Sequence, residues 1–354
     1  MKNMFDYMEK APSLCEQIIK EKDKRIGNLV EYFVEKERRR IVIVASGSSY
    51  NIAMSAKWYL QELLNLEVKV VWPLTYTMYD NSYDNQSFII CMSQSGKSTN
   101  TIEAVKKAKE LKHDVCVLTT NKNAPIKEYC EHVYEYGSGS DDYYVAKGFP
   151  CSNVFLMIFA VEVASRLNKW KEAQKKKEIS KIEVEIAKLD NTRIQAKKFY
   201  EENKKSFLNC RRMMLVGIGS SYGVALEGAL KLNEMIGSAT NAYEMEEFVH
   251  GPTYEIRKDH AIIFIDNNSQ CHERMKQLFT ACKGLTDHVF MISNAKDYND
   301  QKVLYIDGNS DYNLNVINSI VPFQTFSECI CSELDLLSYN LTNYDFEQKI
   351  KTKA

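Results

Sequence analysis

Short runs of β-branched and other apolar residues alternate along the chain with longer segments in which apolar and polar residues mix at helical intervals. The runs are almost continuously apolar, which is typical of strands that are buried on both faces of a parallel sheet. They lie at residues 41–45, 68–72, 88–92, 115–119, 132–136, 213–216, 260–265, 289–292 and 303–306. The pattern therefore predicts an α/β architecture in which helices connect parallel strands.

Two such units are expected, because a stretch rich in Lys and Glu separates the runs into two groups between residue 166 and about residue 207. A chain of 354 residues also usually contains more than one core. We interpret the charged stretch as connecting helices with a solvated face. The predicted divisions are N-terminal helices at 1–38, a first domain at 39–170, connecting helices at 171–206, a second domain at 207–338 and a C-terminal tail at 339–354.

The two halves share a local signature. Residues 43–50 read Ile-Val-Ala-Ser-Gly-Ser-Ser-Tyr, and residues 215–222 read Leu-Val-Gly-Ile-Gly-Ser-Ser-Tyr. In both places, apolar strand residues precede a Gly-Ser-Ser-Tyr loop and a helical segment. Recurrence of the loop at the same strand-to-helix junction predicts an internal duplication.

Charge and composition exclude several classes of function. The 46 basic and 47 acidic residues give a formal charge of -1, so no net positive field attracts nucleic acid or an anionic membrane. We identify no apolar stretch of the roughly 20 residues that a bilayer requires, and no signal peptide. We expect a cytoplasmic protein that binds neither nucleic acid nor membrane. None of the ten cysteines forms a Cys-x-x-Cys pair, so reduced thiols and no metal site are expected.

Hydroxyl-bearing residues cluster directly after two of the predicted strands. At the start of a helix, free backbone N–H groups and hydroxyls favour an anion such as phosphate. Ordinary helix capping is the alternative, but one Ser or Thr is enough for a cap. The predicted phosphate ligands are Ser48, Ser49, Ser93, Gln94, Ser95 and Ser98.

Two nucleotide-binding motifs are incomplete in this sequence. Gly-Lys-Ser at 96–98 lacks the glycine that a P-loop places five residues earlier, where the residue is Cys91. The third glycine of a dinucleotide fingerprint beginning at Gly217 is replaced by Tyr222. Neither a P-loop nucleotide site nor an NAD site is expected.

The Gly-Ser-Ser-Tyr loop at 47–50 and the Ser-Gln-Ser-Gly-x-Ser loop at 93–98 resemble those of the sugar isomerase (SIS) domain family. Members of that family bind phosphosugars with serine-rich loops that follow parallel strands. Residues 225–234 and the Glu-Phe-x-His-Gly-Pro segment at 247–252 are similar to the isomerase half of glucosamine-6-phosphate synthase. They are closer still to fructosamine 6-phosphate deglycases of the fructoselysine type. The resemblance implies an α/β fold of two tandem SIS domains, each a parallel five-stranded, doubly wound (flavodoxin-like) sheet flanked by helices. The sequence departs from the family at 143–146, where members often have Ser or Thr.

The resemblance also implies roles for individual residues. Glu234 matches the general base, Lys231 a helper on the same helix, and His250 the residue that opens the sugar ring. Lys349 matches a lysine from a tail that closes over the site. Independently, Glu227, Lys231 and Glu234 are spaced i, i+4 and i+7, so they share one helical face. A surface salt bridge is the alternative interpretation of that face.

The leading hypothesis is a deglycase that hydrolyses a fructosamine 6-phosphate to glucose 6-phosphate and an amine. In this mechanism Glu234 moves a proton from C1 to C2, and no metal or cofactor is needed. A phosphosugar aldose-ketose isomerase, or an enzyme like the synthase or a deaminase, would use the same residues. Glutamine-dependent amination itself is not expected, because Lys2 stands where the synthase's glutamine-hydrolysing half has its nucleophilic cysteine.

Two further expectations concern partners. A non-catalytic regulator that binds a phosphosugar is the alternative from a different class, and possession of both Glu234 and His250 argues against it. The resemblance implies a homodimer in which His250 is contributed across the subunit interface.

Overall fold

The computed structural model describes residues 3–167, 170–309, 311–336, 346 and 349–354. The chain divides into two compact units, which are described one at a time. The first unit comprises Lys10–Glu183 with Thr342–Ala354, and the second comprises Met1–Glu9 with Val184–Leu341. The domain limits inferred from the sequence remain a prediction.

The first unit contains a five-stranded parallel sheet in the order β2-β1-β3-β4-β5. Its strands are β1 Arg40–Ala45, β2 Glu67–Val71, β3 Ser87–Met92, β4 Asp114–Thr119 and β5 Val133–Glu135. All five agree with the apolar runs of the sequence to within one residue at each end. The order is that of a flavodoxin-like, doubly wound sheet, as predicted.

Helices cover both faces of this sheet. They are α2 Ala11–Lys20, α3 Lys22–Val34, α4 Ser48–Leu64, α5 Pro73–Met78, α6 Thr99–Glu110, α7 Gly148–Arg166 and α8 Glu172–Ala187, the last of which contains the division between the units. Val42 and Ile89 pack in one buried cluster with Ile102 of α6. On the other face, the ring of Phe88 lies 5.1 Å from that of Phe33 in α3. Burial on both faces explains why these strands lack alternating polar residues.

Helix α7 is long and apolar enough to meet the simple criterion for a membrane span. However, 89% of its most apolar window is buried inside the protein. Because the unit buries the helix on nearly all sides, core packing accounts for its composition. Among the described residues, no other helix meets the criterion.

The second unit repeats the same sheet. Its strands are β6 Arg212–Gly217, β7 Ala239–Glu244, β8 His260–Asp266, β9 Val289–Ser293 and β10 Val303–Tyr305. They are all parallel in the order β10-β9-β8-β6-β7, which is the order of the first sheet. The predicted duplication is therefore visible in the topology. Strand β7 was not among the apolar runs, because Ala-Thr-Asn-Ala-Tyr-Glu is an edge strand with partly exposed polar positions.

The helices of the second unit are α1 Met4–Met8, α9 Leu189–Asn209, α10 Ser220–Ile236, α11 His272–Cys282, α12 Val316–Ser319 and α13 Val321–Glu333. The most informative of them is α10, because it corresponds to α4 of the first unit. Both helices begin after a glycine with nearly the same backbone, φ 56° and ψ -136° at Gly47 and φ 58° and ψ -126° at Gly219. Positive φ at this position explains the recurrence of glycine in both loops.

Candidate functional site

In the first unit, the carboxyl ends of β1 and β3 meet at the centre of the sheet, where Ala45 pairs with Met92. The chain changes direction across the sheet at this point, since β2 lies on one side and β4 on the other. Ligands of open α/β sheets bind at such a switch point. The two predicted serine loops follow these two strands, and Asn100 Nδ2 donates a hydrogen bond to Ser46 Oγ at 3.1 Å between them.

The first serine loop ends in the N-terminus of α4. Gly47 precedes the helix and provides no side-chain cap, and Ser48 and Ser49 are the first two helical residues. Ser49 is buried and Ser48 half-buried. This places two hydroxyls at the positive end of a 17-residue helix, which is suited to an anion.

The second serine loop, residues 93–98, is a tight turn that requires glycine. Gly96 has φ 63°, and a Cβ there would lie 2.5 Å from Ala124 Cβ. The Gly96 N–H donates to the Ser93 carbonyl at 3.1 Å, and the hydroxyls of Ser93 and Ser98 are 3.2 Å apart. The turn thus gathers hydroxyl groups at the end of β3.

Helix capping does not account for Ser98. It is the N-cap residue of α6, with extended backbone, yet its side chain makes no capping hydrogen bond. Its hydroxyl contacts Ser93 instead. Ser98 is the position where a capping hydrogen bond would be most expected. Its absence there argues against the alternative that these serines only cap helices.

The end of the chain pairs with this loop. Ser98 and Lys353 form an antiparallel bridge, Thr99 N donates to Thr352 O at 3.1 Å, and Ala354 N donates to Lys97 O at 2.7 Å. Lys349, the tail lysine singled out from the sequence, is exposed. The contacts place the last residues of the chain beside the serine loop of the same unit.

In the second unit, helix α10 carries three of the charged residues discussed above on one face, as its spacing predicts. Lys231 Nζ lies 2.5 Å from Glu234 Oε2 and 3.4 Å from Glu227 Oε1. The side chains of Lys231 and Glu227 are each only 1% exposed, whereas that of Glu234 is 37% exposed. This is not a surface salt bridge: a buried cation is held between two carboxylates, of which Glu234 alone reaches solvent.

The electrostatics of this face suit proton transfer. Burial raises the pKa of Glu234, which the neighbouring Lys231 ammonium partly opposes. Burial alone would lower the pKa of Lys231, but Glu227 and Glu234 outweigh it, so the pKa is raised and the ammonium stays charged. A carboxylate with a raised pKa beside a fixed cation can accept a proton and return it.

His250 lies directly after the short 3₁₀ helix Glu247–Val249 and before Gly251, and its side chain is exposed. In the described part of the chain no hydrogen bond joins it to Glu234. The structure therefore brings Glu227, Lys231 and Glu234 together, and leaves His250 at the surface of the second unit.

Comparison with models of protein families identifies the family of this chain. The SIS domain model matches residues 35–164 and 206–304, well over half of the chain. The chain belongs to the SIS domain family. The two matches correspond to the two parallel sheets, so the fold is a tandem pair of SIS domains, as the sequence indicated.

Relatives and solved structures agree with this assignment. Glutamine–fructose-6-phosphate aminotransferase [isomerizing] of Bordetella parapertussis is 24% identical over 87% of this chain and 50% of its own length. The SIS chain thus spans about half the length of the curated relatives it matches. A candidate phosphosugar isomerase from Clostridium difficile 630 superposes with a TM-score of 0.91 at 26% identity, covering 100% of this chain and 99% of that one.

A third comparison supports the fold alone. The C-terminal domain of glucosamine-fructose-6-phosphate aminotransferase from Francisella tularensis gives a TM-score of 0.78 at 22% identity, covering 93% of this chain and 95% of that one. Together the comparisons show a protein like the phosphosugar isomerases of the SIS family.

The second SIS domain uses its copy of the serine loop differently. Ser220 Oγ lies 2.5 Å from Asn313 Oδ1, and Ser221 Oγ contacts the carbonyls of Ile218 and Ile265 at 2.9 and 3.2 Å. Both serines are 3% exposed. These hydroxyls are therefore engaged inside the domain.

A second polar cluster of this SIS domain surrounds His272, the first residue of α11. Its Nδ1 lies 2.7 Å from the buried Asp266 carboxylate and its Nε2 3.2 Å from that of Asp297. Burial lowers the pKa of His272, but the two carboxylates outweigh this and raise the pKa above its ordinary value. The imidazolium is therefore favoured in the folded protein.

We expect His272 to make stability depend on pH. Because the pKa is higher in the folded than in the unfolded chain, the contribution is fully present below about pH 6.5 and is lost as the pH rises through the folded pKa. Urea midpoints of the wild type and His272→Asn should therefore differ most below about pH 6.5 and converge as the pH rises through the folded pKa. The exposed His250, changed to Asn, is the control. A difference that grows as the pH rises would contradict this account.

Sequence reasoning missed two features of the site. Asp142 accepts a hydrogen bond from Gln94 Nε2 at 3.1 Å, and the C-terminal residues pair with the serine loop. The sequence carried no signal for Asp142, which is one carboxylate in a loop of mixed polarity. The tail was expected to close over the site by resemblance, but its backbone pairing with Lys97, Ser98 and Thr99 was not.

Proposed function

We propose that this SIS protein is a phosphosugar deglycase that hydrolyses a fructosamine 6-phosphate to glucose 6-phosphate and a free amine. The observation that carries the proposal is the α10 face, where Glu234 has a raised pKa, reaches solvent and is fixed by the buried Lys231. A base of this kind suits proton abstraction next to a carbonyl. Membership of a family of phosphosugar isomerase-like proteins supports the choice of substrate class.

Phosphate binding is assigned to the serine loops of the first SIS domain. Hydroxyls of Ser49, Ser93, Ser95 and Ser98 would donate hydrogen bonds to phosphate oxygens, together with the N–H groups at the start of α4. Hydrogen bonds to a charged group contribute about 1.5–3 kcal/mol each. The engagement of the corresponding hydroxyls in the second domain supports assigning phosphate to the first alone.

Proton transfer is assigned to Glu234. It takes the proton from C1 of the open-chain ketosamine, and the electrons of that C–H bond form the C1=C2 double bond of the 1,2-enolamine while the C2 carbonyl oxygen takes up a proton and becomes a hydroxyl. Glu234 then returns the proton to C2 while the nitrogen gives up its own proton, which leaves a C1=N Schiff base. Water adds to C1, and the C1–N bond breaks to release the amine and glucose 6-phosphate. Lys231 keeps the carboxylate oriented and stabilises its ionised form, which is present before the first proton transfer and again after the second.

Ring opening is assigned to His250, whose imidazole can both accept and donate protons near neutral pH. Lys349 is assigned to the tail that covers the substrate, and its charge would stabilise the developing enolate oxygen. The proposed steps are general acid-base catalysis and require neither a metal nor an organic cofactor. Location in the cytoplasm, where phosphosugars are made, remains part of the proposal.

Aldose-ketose isomerisation is the second candidate, because the aminotransferases matched by the chain are themselves described as isomerizing. It uses the same transfer of a proton between C1 and C2 by Glu234 but has no amine to release. The two functions are separated by incubating the protein with fructoselysine 6-phosphate, other 6-phosphorylated ketosamines, fructose 6-phosphate, and fructose 6-phosphate with ammonia. Release of glucose 6-phosphate together with a free amine from a 6-phosphorylated ketosamine supports the deglycase. Conversion of fructose 6-phosphate alone supports the isomerase, and binding without turnover supports a regulator.

Subunit complementation tests the homodimer that we propose as the active unit. Glu234→Gln and His250→Ala proteins should each be inactive, because each lacks one proton-transfer group. If His250 acts in the partner subunit's site, mixed dimers contain one intact site. Random exchange should then restore up to about a quarter of the wild-type activity.

Each variant exchanged with itself is the control for this experiment, and differently tagged chains prove that subunits exchange. A mixture that remains inactive although mixed dimers are recovered would show that each chain builds its own site.

A further inference from the structure

The loop between β5 and α7 contains a carboxylate that collects three N–H donors. Asp142 Oδ1 accepts from Lys147 N at 3.2 Å, and Oδ2 accepts from Gly148 N at 2.8 Å and from Gln94 Nε2 at 3.1 Å. Two of these donors lie at the N-terminus of α7, whose dipole favours a negative charge. The third comes from the serine loop. Asp142 therefore links the start of α7 to the second serine loop, which we propose binds phosphate.

The backbone around Asp142 is built for this contact. Tyr144 and Val145 both have positive φ, 48° and 61°, which is costly for a β-branched residue. A Cβ on Gly148 would lie 2.8 Å from Asp142 Oδ2 and 3.1 Å from Gln94 Nε2. The strained backbone at Tyr144 and Val145 and the lack of a side chain at Gly148 thus both allow the Asp142 carboxylate to contact the Gln94 amide.

Gln94 is held in a single orientation at both ends. Its main-chain carbonyl accepts from Thr120 N at 3.0 Å and from the hydroxyls of Thr120 and Thr119 at 2.7 and 3.1 Å. Its side-chain nitrogen donates to Asp142. Among the described residues no donor reaches Gln94 Oε1, and the side chain is partly exposed.

The amide cannot turn over without losing this bond. A carboxylate only accepts hydrogen bonds, so a flipped amide would place Oε1 against Asp142 Oδ2 with no proton between them. Burial raises the pKa of Asp142 to about 6, so the group is still ionised at neutral pH. Its negative charge beside Gln94 Nε2 also disfavours a phosphate dianion at that nitrogen.

We propose that Asp142 is a positioning residue that fixes the Gln94 amide with Oε1 as the group left for a ligand, so that Gln94 recognises a sugar hydroxyl rather than the phosphate. The proposal rests on the proposed function in one respect, namely that the ligand is a phosphosugar. It revises the assignment of Gln94 to phosphate made from the sequence. In this arrangement the serines bind the phosphate group, and Gln94, oriented by Asp142, binds a hydroxyl of the sugar's carbon chain.

A double-mutant cycle with two ligands tests the proposal. Binding of glucitol 6-phosphate and of inorganic phosphate is measured by calorimetry for the wild type, Gln94→Ala, Asp142→Asn and the double variant. Asp141→Asn is the matched control, because it removes a neighbouring exposed carboxylate. Each single variant should weaken glucitol 6-phosphate about tenfold, as expected for loss of one oriented hydrogen bond, and change inorganic phosphate by less than about twofold.

The double variant should also weaken glucitol 6-phosphate about tenfold, because Asp142 acts only through Gln94. Additive losses of about a hundredfold would overturn the proposal, since the two residues would then act independently. Equal losses for both ligands would mean that Asp142 merely supports the phosphate loop, and unchanged affinities would mean that it positions nothing. A wild type that binds neither ligand would refute the proposed function, and this inference with it. Thermal melts of Asp142→Asn and Asp141→Asn separate a loss of folding from a loss of affinity.

Discussion

Glu234→Gln is expected to lower turnover by at least about a hundredfold while changing the dissociation constant of a phosphosugar only a few-fold. The amide keeps the shape of the side chain but cannot accept the C1 proton, and general-base catalysis typically contributes two to four orders of magnitude. Lys231 remains charged and buried beside Glu227, so the helix keeps one of its two ion pairs. The loss should therefore appear in kcat rather than in KM.

Deuterium exchange provides the sharper measurement. In D₂O the wild type should incorporate deuterium from solvent at C1 of an unreacted ketosamine, and Glu234→Gln should not. Glu202→Gln, an exposed carboxylate of the second unit, is the matched control. Retained exchange in the Glu234 variant would mean that another group is the base.

The triple change of Ser93, Ser95 and Ser98 to Ala is expected to weaken phosphosugar binding by at least about a hundredfold. Each hydroxyl would donate to an anionic phosphate, and each such bond is worth about 1.5–3 kcal/mol, so one substitution such as Ser95→Ala should already cost roughly tenfold. The effect should be carried by KM and by the dissociation constant, because these residues do not move protons.

Titration calorimetry with glucitol 6-phosphate measures this effect directly, and Ser13→Ala, an exposed hydroxyl on α2, is the control. The melting temperature of the triple variant should stay close to that of the wild type, since Ser98 does not cap α6. If the triple variant folds and its affinity for glucitol 6-phosphate is unchanged, the assignment of phosphate binding to this loop is wrong.

The sequence was sufficient for features that depend on local pattern. The parallel strands were visible because a strand that is buried on both faces has to be continuously apolar. The shared face of Glu227, Lys231 and Glu234 followed from the helical repeat, and their contacts confirm it. Strand β7 was not predicted, because it lies at the edge of its sheet and its partly exposed positions do not have to be apolar.

Features that depend on distant contacts could not be read in the same way. Asp142 meets Gln94 across 48 residues, and Thr352 meets Thr99 across 253. No periodicity relates such positions: the first contact joins two side chains, and the second joins a hydroxyl to a backbone carbonyl. They become visible only when the fold brings β3, β5 and the C-terminal residues to one edge of the sheet.

The repeated Gly-Ser-Ser-Tyr loop has different surroundings in the two SIS domains. In the first copy Ser48 is half-buried and Ser49 is buried, at the end of β1 where we propose that phosphate binds. In the second copy the hydroxyls of Ser220 and Ser221 contact Asn313 and the end of β8, so we expect substitution there to lower the stability of the fold. Under the proposed function, the same four residues therefore serve ligand recognition in one domain and internal packing in the other.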